Sequence, residues 1–320
     1  MKVLLVCDPQ ETFIPELDTS VFLTAEIHSR GIEVDYCDIS QMDYRLPSAE
    51  YLSKLRVAPV RSISKGASLA FELGAWREAK VSEYAGILQR KDPPVDDSYI
   101  GHCKAFMGAS SSIIQLNHPS ETWKYSEHLL PKSYPEISIP THECVSLDEF
   151  MDHVRRLSQE TVAKPQSQFG GNGISFFDQK TSDKDLRDYW ARWGASPVIV
   201  QPFLKEITSI GDLRVLVMNG KLIGSVLRVP KAGSRLANLH QGASVRGFSI
   251  TDAQKKAALR IADDLISKRL YLLGIDFIGE KVSEINITCP SAVPQMNQVM
   301  GIQGEVVIVD EFLSLMARHG

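Results

Sequence analysis

Residues 274–288 read GIDFIGEKVSEINIT, two apolar β-branched runs that carry Asp276, Glu284 and Asn286 where a sheet pattern asks for Ile or Val. Two carboxylates and an amide oxygen are the donors that hard cations take, and Mg²⁺ held this way keeps waters and bridges to phosphates. Register decides whether the three converge. A three-residue loop at 279–281 sets Asp276 directly opposite Glu284, with Cβ atoms roughly 5 Å apart and like charges repelling. Asn286 then shares the face of Glu284. A two-residue loop pairs Asp276 with Ser283 and turns Glu284 away, leaving both acids in water. The first register makes an oxygen-only metal site, and such a site predicts a nucleotide.

Other residues could hold one. Lys164 ends a short strand before QSQFGGNG (166–173), where Gly170, Gly171 and Gly173 allow close backbone approach. N–H groups in such a loop cradle phosphate oxygens, and a lysine adds a point charge. The GxxxxGK[ST] order of a P-loop is absent, and an ordinary glycine turn beside a solvated lysine fits the same residues. Lys124, in a capped helix after Pro119, carries a still weaker signal, because helical lysines ordinarily face water. Arg214 and Arg228 flank Asn219-Gly220. A three-residue loop with Gly220 as a left-handed bulge puts both on one face; a strict two-residue turn does not. On one face they would pair with the acids or hold phosphate and a developing oxyanion. Residues 229–247 are small and aperiodic, fitting either a lid or a surface loop.

The elements that must position these groups follow from periodicity. KVLLV (2–6) is a buried strand, Asp18-Thr19-Ser20 caps a helix through Arg30, and IEVDYCDI forms a second strand. That order is a Rossmann-like α/β start, without the GxGxxG of a dinucleotide site. Strands are expected at 86–90 and around 110–119. Beyond Pro119 a capping box at 146–149 opens a helix towards Leu157. TVAKP and GISFF bracket the glycine loop as strands, 182–193 is a helix, and SPVIVQPFL is a strand. Residues 212–229 form a hairpin at Asn219-Gly220, 251–270 a long helix, and the chain closes on an amphipathic helix. The fold class is therefore α/β, becoming α+β in the C-terminal part. Domains are expected at 1–120, 121–200 and 201–320, the last two packing around a cleft.

The chain has 320 residues, 43% hydrophobic and 23% charged, with a net charge of −4. This excludes a general attraction to nucleic acid or anionic membrane. No apolar run reaches the length of a membrane span, and MKVLLVCDP is too short for a signal-peptide core, so a cytoplasmic location is expected. Five widely spaced cysteines make neither a disulfide framework nor a CxxC zinc site.

Taken in order, these segments resemble the bacterial glutathione synthetases of the ATP-grasp superfamily over nearly the whole chain. VCDPQETF, RKDPPVD at 90–96, KPQSQFGGNGIS at 164–175, GDLRVLVMNGK at 211–221, RVP with the later ANL, and GIDFIGEKVSEINIT carry the likeness. The resemblance implies a Rossmann-like N-terminal domain followed by a two-lobed ATP-grasp fold. It implies ATP phosphates on Lys124, Lys164 and the loop Gly170, Gly171 and Gly173. Adenine would lie along 200–204, with Gln201, Phe203 and Leu204, and Asp212 near the nucleotide. Arg214 would sit beside phosphate or substrate, and Arg228 would stabilise the reacting acyl centre. Asp276, Glu284 and Asn286 would hold two Mg²⁺, with Mn²⁺ as a substitute. The substrates would be γ-glutamylcysteine and glycine or analogues, met by Arg235 and Asn238 in the lid and by Ser291 and Ala292, in a homo-oligomer without nucleic-acid or membrane partners.

The chain departs from that pattern in two places. Relatives continue SPTG after the EIN strand and then a polar or Arg-containing turn; here the residues are Cys289-Pro290-Ser291-Ala292-Val293-Pro294-Gln295. The lid has Ser234-Arg235-Leu236-Ala237 where the family favours Arg-Gly before Asn-Leu, and Gly242-Ala243 replaces Gly-Gly. A related ligase with another acid or acceptor, or a non-catalytic ATP-binding protein, fits these departures.

Overall fold

The structure, a computed structural model, describes residues 1–166, 168, 170–237 and 242–319. β1 (Lys2–Cys7) is apolar from Val3 onward and buried, as a central parallel strand must be. It lies between β2 (Glu33–Asp38) and β6 (Gly86–Arg90), parallel to both, and β7 (Ile114–Leu116) continues the sheet beyond β6. The helix Thr19–Ser29 begins where the Asp18 carboxylate accepts the N–H groups of Ser20 and Val21. Three antiparallel strands absent from the sequence reading extend this sheet past β2: β3 (Leu55–Ile63), β4 (Phe71–Leu73) and β5 (Arg77–Ala79).

A second, antiparallel sheet runs in the order β10-β9-β11-β8, from β8 (His142–Cys144), β9 (Thr161–Pro165), β10 (Ser175–Phe177) and β11 (Val198–Pro202). The helices Leu147–Arg156 and Asp183–Trp193, capped by Ser146 and Ser182, bury Phe150, Val154, Leu186 and Tyr189 against it.

The third sheet has the order β14-β13-β12-β15-β16, from β12 (Asp212–Met218), β13 (Lys221–Val229), β14 (Ser244–Arg246), β15 (Leu272–Ile278) and β16 (Lys281–Asn286). Strand alternation divides its residues between two environments. Leu213, Val215, Val217, Ile275, Phe277 and Ile285 form one core with the helix Asp252–Ile266. Leu216, Met218, Val226 and Leu272 join the core of the first sheet and the closing helix Gly304–His319. That closing helix packs so closely on β6 that a Cβ at Gly86 would lie 2.3 Å from Met316 Sδ. The helix expected over 251–270 stops at Ile266. Arg269 adopts a left-handed conformation (φ 59°), which turns the chain into β15. Among the described residues no helix is long and apolar enough to cross a membrane.

Candidate active site

Both hairpins of the third sheet turn in two residues, not three. Met218 pairs with Lys221 and Ile278 with Lys281. Asn219 (φ 49°) and Gly220 (φ 77°) supply the left-handed turn that a twisted hairpin favours. The expected faces nevertheless survive, because each hairpin carries one extra residue further along. Pairing jumps from Phe277–Val282 to Asp276–Glu284, leaving Ser283 as a bulge, and from Val217–Leu222 to Leu216–Gly224, leaving Ile223. An inserted residue reverses the phase of alternation wherever it sits. Asp212, Arg214, Arg228, Asp276, Glu284 and Asn286 therefore share a face, at the end beyond the apolar Leu216 and Met218.

The arginines explain how this sheet tolerates its acids. Arg214, the cross-strand partner of Asp276, bonds both carboxylate oxygens, through Nε to Oδ1 and through Nη2 to Oδ2 at 2.8 Å. Arg228 Nη2 lies 2.8 Å from Asp276 Oδ2 and 2.5 Å from Asp212 Oδ2. Burial alone would raise Asp276, but Arg214 and Arg228 outweigh it and hold the carboxyl at about 2. Asp212 shares only one arginine, and burial wins there, pushing it up to about 6. Asn286 donates to Gly274 O at 3.1 Å and Asp276 Oδ2 at 3.3 Å, so its amide oxygen is the atom it can offer a cation. Among the described residues no three His, Cys, Asp or Glu side chains cluster to hold a metal ion by themselves. Asp276 is engaged by guanidiniums, and a cation here would need Glu284, Asn286 and oxygens of a phosphate ligand.

A cleft of about 670 Å³ separates this face from the second sheet. Lys164 on β9 faces it; burial lowers its pKa, while Glu284, Asp212 and Asp276 push it back up. Gly170, Gly171 and Gly173 are all left-handed, and the first two line the cleft. Gly173 is required twice over, since a Cβ there would also meet Pro165 Cγ at 2.7 Å. Gln201 is buried and donates to Thr141 Oγ1 at 2.8 Å, while Phe203, Leu204, Phe176 and Ile207 make an apolar slot beside it. From the segment after β13, Arg235 pairs with Glu160 at 2.5 Å and stacks over Phe176 and Phe203. Asn238 lies outside the described residues.

The far end of the cleft is made of loops. Ser291 and Ala292 line it, and Thr19 Oγ1 accepts the N–H groups of Ala292 and Val293 at 3.1 and 3.2 Å. Arg90, buried, donates to Ser20 Oγ and to Pro290 O. The turn opens a helix, Val293–Met300, with Ala292 left-handed at φ 104°. Gln295 donates to Leu17 O at 3.3 Å, and its Oε1 is enclosed without a partner.

Lys124 is not brought to the cleft. It is exposed, follows the short helix Pro119–Thr122, and pairs with Glu121 at 3.1 Å. Glu127 and His128 line the cleft instead, and neither was singled out by charge or spacing. Glu127 Oε1 accepts the N–H groups of Ile287 and Thr288 at 2.6 and 2.8 Å, securing the end of the acidic strand. Burial lowers the pKa of His128, with Glu284 acting against it. Their signal in sequence is position alone, a few residues past Lys124.

Two family comparisons cover nearly all of the chain. Residues 1–122 match the N-terminal domain of prokaryotic glutathione synthetase, and residues 127–301 match its ATP-grasp domain. Glutathione synthetase of Gloeobacter violaceus is 28% identical over 320 residues, covering 97% of this chain and 96% of that one. The Vibrio cholerae glutathione synthetase is 27% identical over 307 residues, with 94% of each covered. Among solved structures, D-cycloserine synthetase superposes with a TM-score of 0.67 at 15% identity, covering 100% of both chains. D-alanyl-alanine synthetase A from Vibrio cholerae gives 0.62 at 14%, covering 99% of both. These structural likenesses show an ATP-grasp fold.

Proposed function

The chain belongs to the prokaryotic glutathione synthetase family and is an ATP-dependent carbon–nitrogen ligase, and from that premise we propose that it joins γ-glutamylcysteine to glycine, releasing ADP and phosphate. One observation carries the reading: a charged sheet face, Asp212 to Asn286, opposed across one cleft by Lys164 and a left-handed glycine loop. A carboxylate is a poor electrophile, so its oxygen attacks the γ-phosphorus of ATP, giving an acyl phosphate and ADP. The amine then adds to the acyl carbon, and phosphate and a proton leave. Such transfers need positioning and charge neutralisation more than a protein nucleophile.

Lys164 and the N–H groups of the glycine loop would hold the phosphates. Phe203, Leu204 and Gln201 would receive the base. Glu284, Asn286 and Asp276 would hold the divalent ions, two Mg²⁺ in the full reading, which shield phosphate charge when bound. Arg214 and Arg228 are then poised to exchange partners. While they neutralise Asp276 the face is stable without ligand. With a cation held at Glu284 and Asn286 and neutralising Asp276, their guanidiniums would be free to hold the transferred phosphoryl group and the acyl oxyanion. Arg235 would fasten the lid over the base slot.

A second reading, the same chemistry with another acceptor, rests on Ala292, whose left-handed backbone stands where relatives carry glycine. Phosphate release from ATP and γ-glutamylcysteine, screened across amino acids, tests both. Glycine should give the strongest signal. A different preferred amino acid selects the second reading, and no acid-dependent release with any of them sinks both.

A further inference from the structure

Arg235 does not stand where its expected role would put it. The resemblance assigns it to substrate, and the family pattern sets its arginine one position later, where this chain has Leu236. The structure places the Arg235 guanidinium beside the apolar slot of the cleft. Its carbon lies 4.9 Å from the ring centroid of Phe176 and 5.2 Å from that of Phe203. The two rings meet edge to face, 5.4 Å apart, and both are only partly buried. Arg235 Nη1 pairs with Glu160 Oε1 at 2.5 Å. Glu160 is tied to the same wall, because its carbonyl accepts the N–H of Phe203 at 2.8 Å. The side chain thus reaches from the third-sheet side of the cleft to the wall made by β10 and the end of β11.

What it offers the cleft is a flat face rather than a charge. Glu160 occupies part of the guanidinium's donor fork, which is the edge that takes carboxylate or phosphate in two parallel bonds. The π face is not used by that pair, and guanidiniums stack by that face on aromatic rings. Arg235, Phe176 and Phe203 all line the cleft, so the guanidinium borders the open slot and leaves it free. A flat ring entering there meets apolar surface from Phe176, Phe203 and Leu204, and a stacked cation from Arg235.

We propose that Arg235 is the residue by which this chain selects a purine nucleotide: its guanidinium stacks on the base while Glu160 holds it in place. The proposal rests on the ligase reading above and adds to it the reader of the base. Stacking on phenyl rings tolerates every base, so the two phenylalanines alone discriminate little. A cation gains most over an extended π surface, and a purine offers two fused rings where a pyrimidine offers one. Two other roles fit the geometry less well. An arginine that holds substrate would keep its fork free, and a plug would fill the slot rather than line it.

The test is calorimetric titration of the full chain, in Mg²⁺, with a non-hydrolysable ATP analogue, its CTP counterpart and inorganic tripolyphosphate, which has no base. Arg235→Ala should weaken binding of the ATP analogue about five- to tenfold and leave tripolyphosphate unchanged. The preference for the ATP analogue over the CTP analogue should fall severalfold. Arg235→Lys keeps the charge and can still pair with Glu160 but has no flat face, so it should behave like Arg235→Ala. Rescue by lysine overturns the proposal in favour of a simple ion pair. Equal weakening of tripolyphosphate overturns it in favour of a phosphate contact, and tighter binding of the ATP analogue in favour of a plug. If the wild-type chain binds neither the analogues nor tripolyphosphate, the ligase reading falls too; tight ATP-analogue binding that Arg235→Ala leaves unchanged overturns this proposal alone.

Discussion

The two ends of the cleft are built differently. At the end proposed for phosphate the side chains stand on strands: Asp212 and Arg214 on β12, Arg228 on β13, Asp276 on β15, Glu284 and Asn286 on β16, Lys164 on β9. At the end proposed for the acceptor they stand on connections: Asp18 and Thr19 at a helix start, Arg90 and Asp92 around the end of β6, and the turn 289–292. Strands hold charge in fixed geometry, which ATP chemistry needs whatever the substrate. Loops change shape at little cost to the scaffold, and the turn 289–292 is one of the places where the sequence departs from the pattern of the family it resembles. If that division is real, damage at the strand end should abolish chemistry, and damage at the loop end should redirect it.

The largest effect is expected from Asp276→Asn and Glu284→Gln. Each should lower kcat/KM by about a hundredfold or more, in steady-state phosphate release at saturating ATP. Their stabilities should differ. Asp276 neutralises two buried guanidiniums, so its loss should cost roughly 3 kcal/mol in denaturant unfolding of the ligand-free chain. Glu284 has no such partner and should unfold like the wild type. The reverse order of stability would mean the arginines are neutralised elsewhere. Wild-type turnover in either variant would end the metal assignment.

Lys164→Ala comes next. Losing one charged contact to phosphate is worth about 1.5–3 kcal/mol, so ATP affinity should fall about ten- to a hundredfold, with acid-substrate affinity barely changed. Calorimetric titration of both ligands measures the split. Equal weakening would show that Lys164 supports the cleft rather than the nucleotide.

The strand end was legible in the sequence because an acid inside an Ile/Val alternation is conspicuous. Asp276, Glu284 and Asn286 announced themselves, and so did the hairpins, the glycine loop and the strand–helix–strand opening. The bulges at Ser283 and Ile223 were not legible: an extra residue in a ladder leaves no compositional mark, and the right faces were expected from the wrong loops. Lys124 is pointed to only by the family resemblance, its own signal being weak, whereas His128 reaches the cleft through the irregular path of 123–129, which no periodicity reports. The helix Val293–Met300 hid behind Pro290 and Pro294, although proline fits a first helical turn. β3 to β5 are short or partly exposed at their sheet's edge, with little alternation to read. The tie from Thr19 to Ala292 is purely tertiary.

Acidity should separate two carboxylates that share Arg228. Asp212 is raised from 3.8 to about 6 by burial against Arg228. Between those values the folded chain keeps a proton that the unfolded chain has lost. Stability from this group is thus full below about 3.8 and lost as pH rises through about 6. Asp276, depressed to about 2, has the opposite sign: its contribution is present above 3.8 and lost as pH falls towards 2. Asp212→Asn should therefore gain stability relative to wild type as pH climbs from 4 to 7, in thermal melts across that range. A constant difference between the two would place Asp212 in an environment like water.

The smallest expected effect lies at the loop end, in Ala292→Gly. Ala292 is held at φ 104° and ψ 14°, where a Cβ is strained and glycine is not. Its conformation is imposed from both sides, since Thr19 Oγ1 takes its N–H and its carbonyl receives Met296 N–H. Such strain costs on the order of 1–3 kcal/mol, and the added freedom of glycine in the unfolded chain returns about 0.5–1 kcal/mol. The variant should therefore be more stable by about 1 kcal/mol, a rise in melting temperature of a few degrees at most. The same methyl group lines the cleft, so removing it widens the space in front of Ser291 and Gln295. The acceptor's KM should then move several-fold while that of ATP stays put, because Lys164 and the strand-borne charges are untouched. A shift towards glycine would mean that Ala292 narrows the acceptor range of this chain, and a shift away from it that Ala292 is part of glycine's own seat. Equal changes in both KM values, or a less stable variant, would break the division between a rigid phosphate end and an adjustable acceptor end, since the turn would then be acting on the whole cleft through the helix it starts.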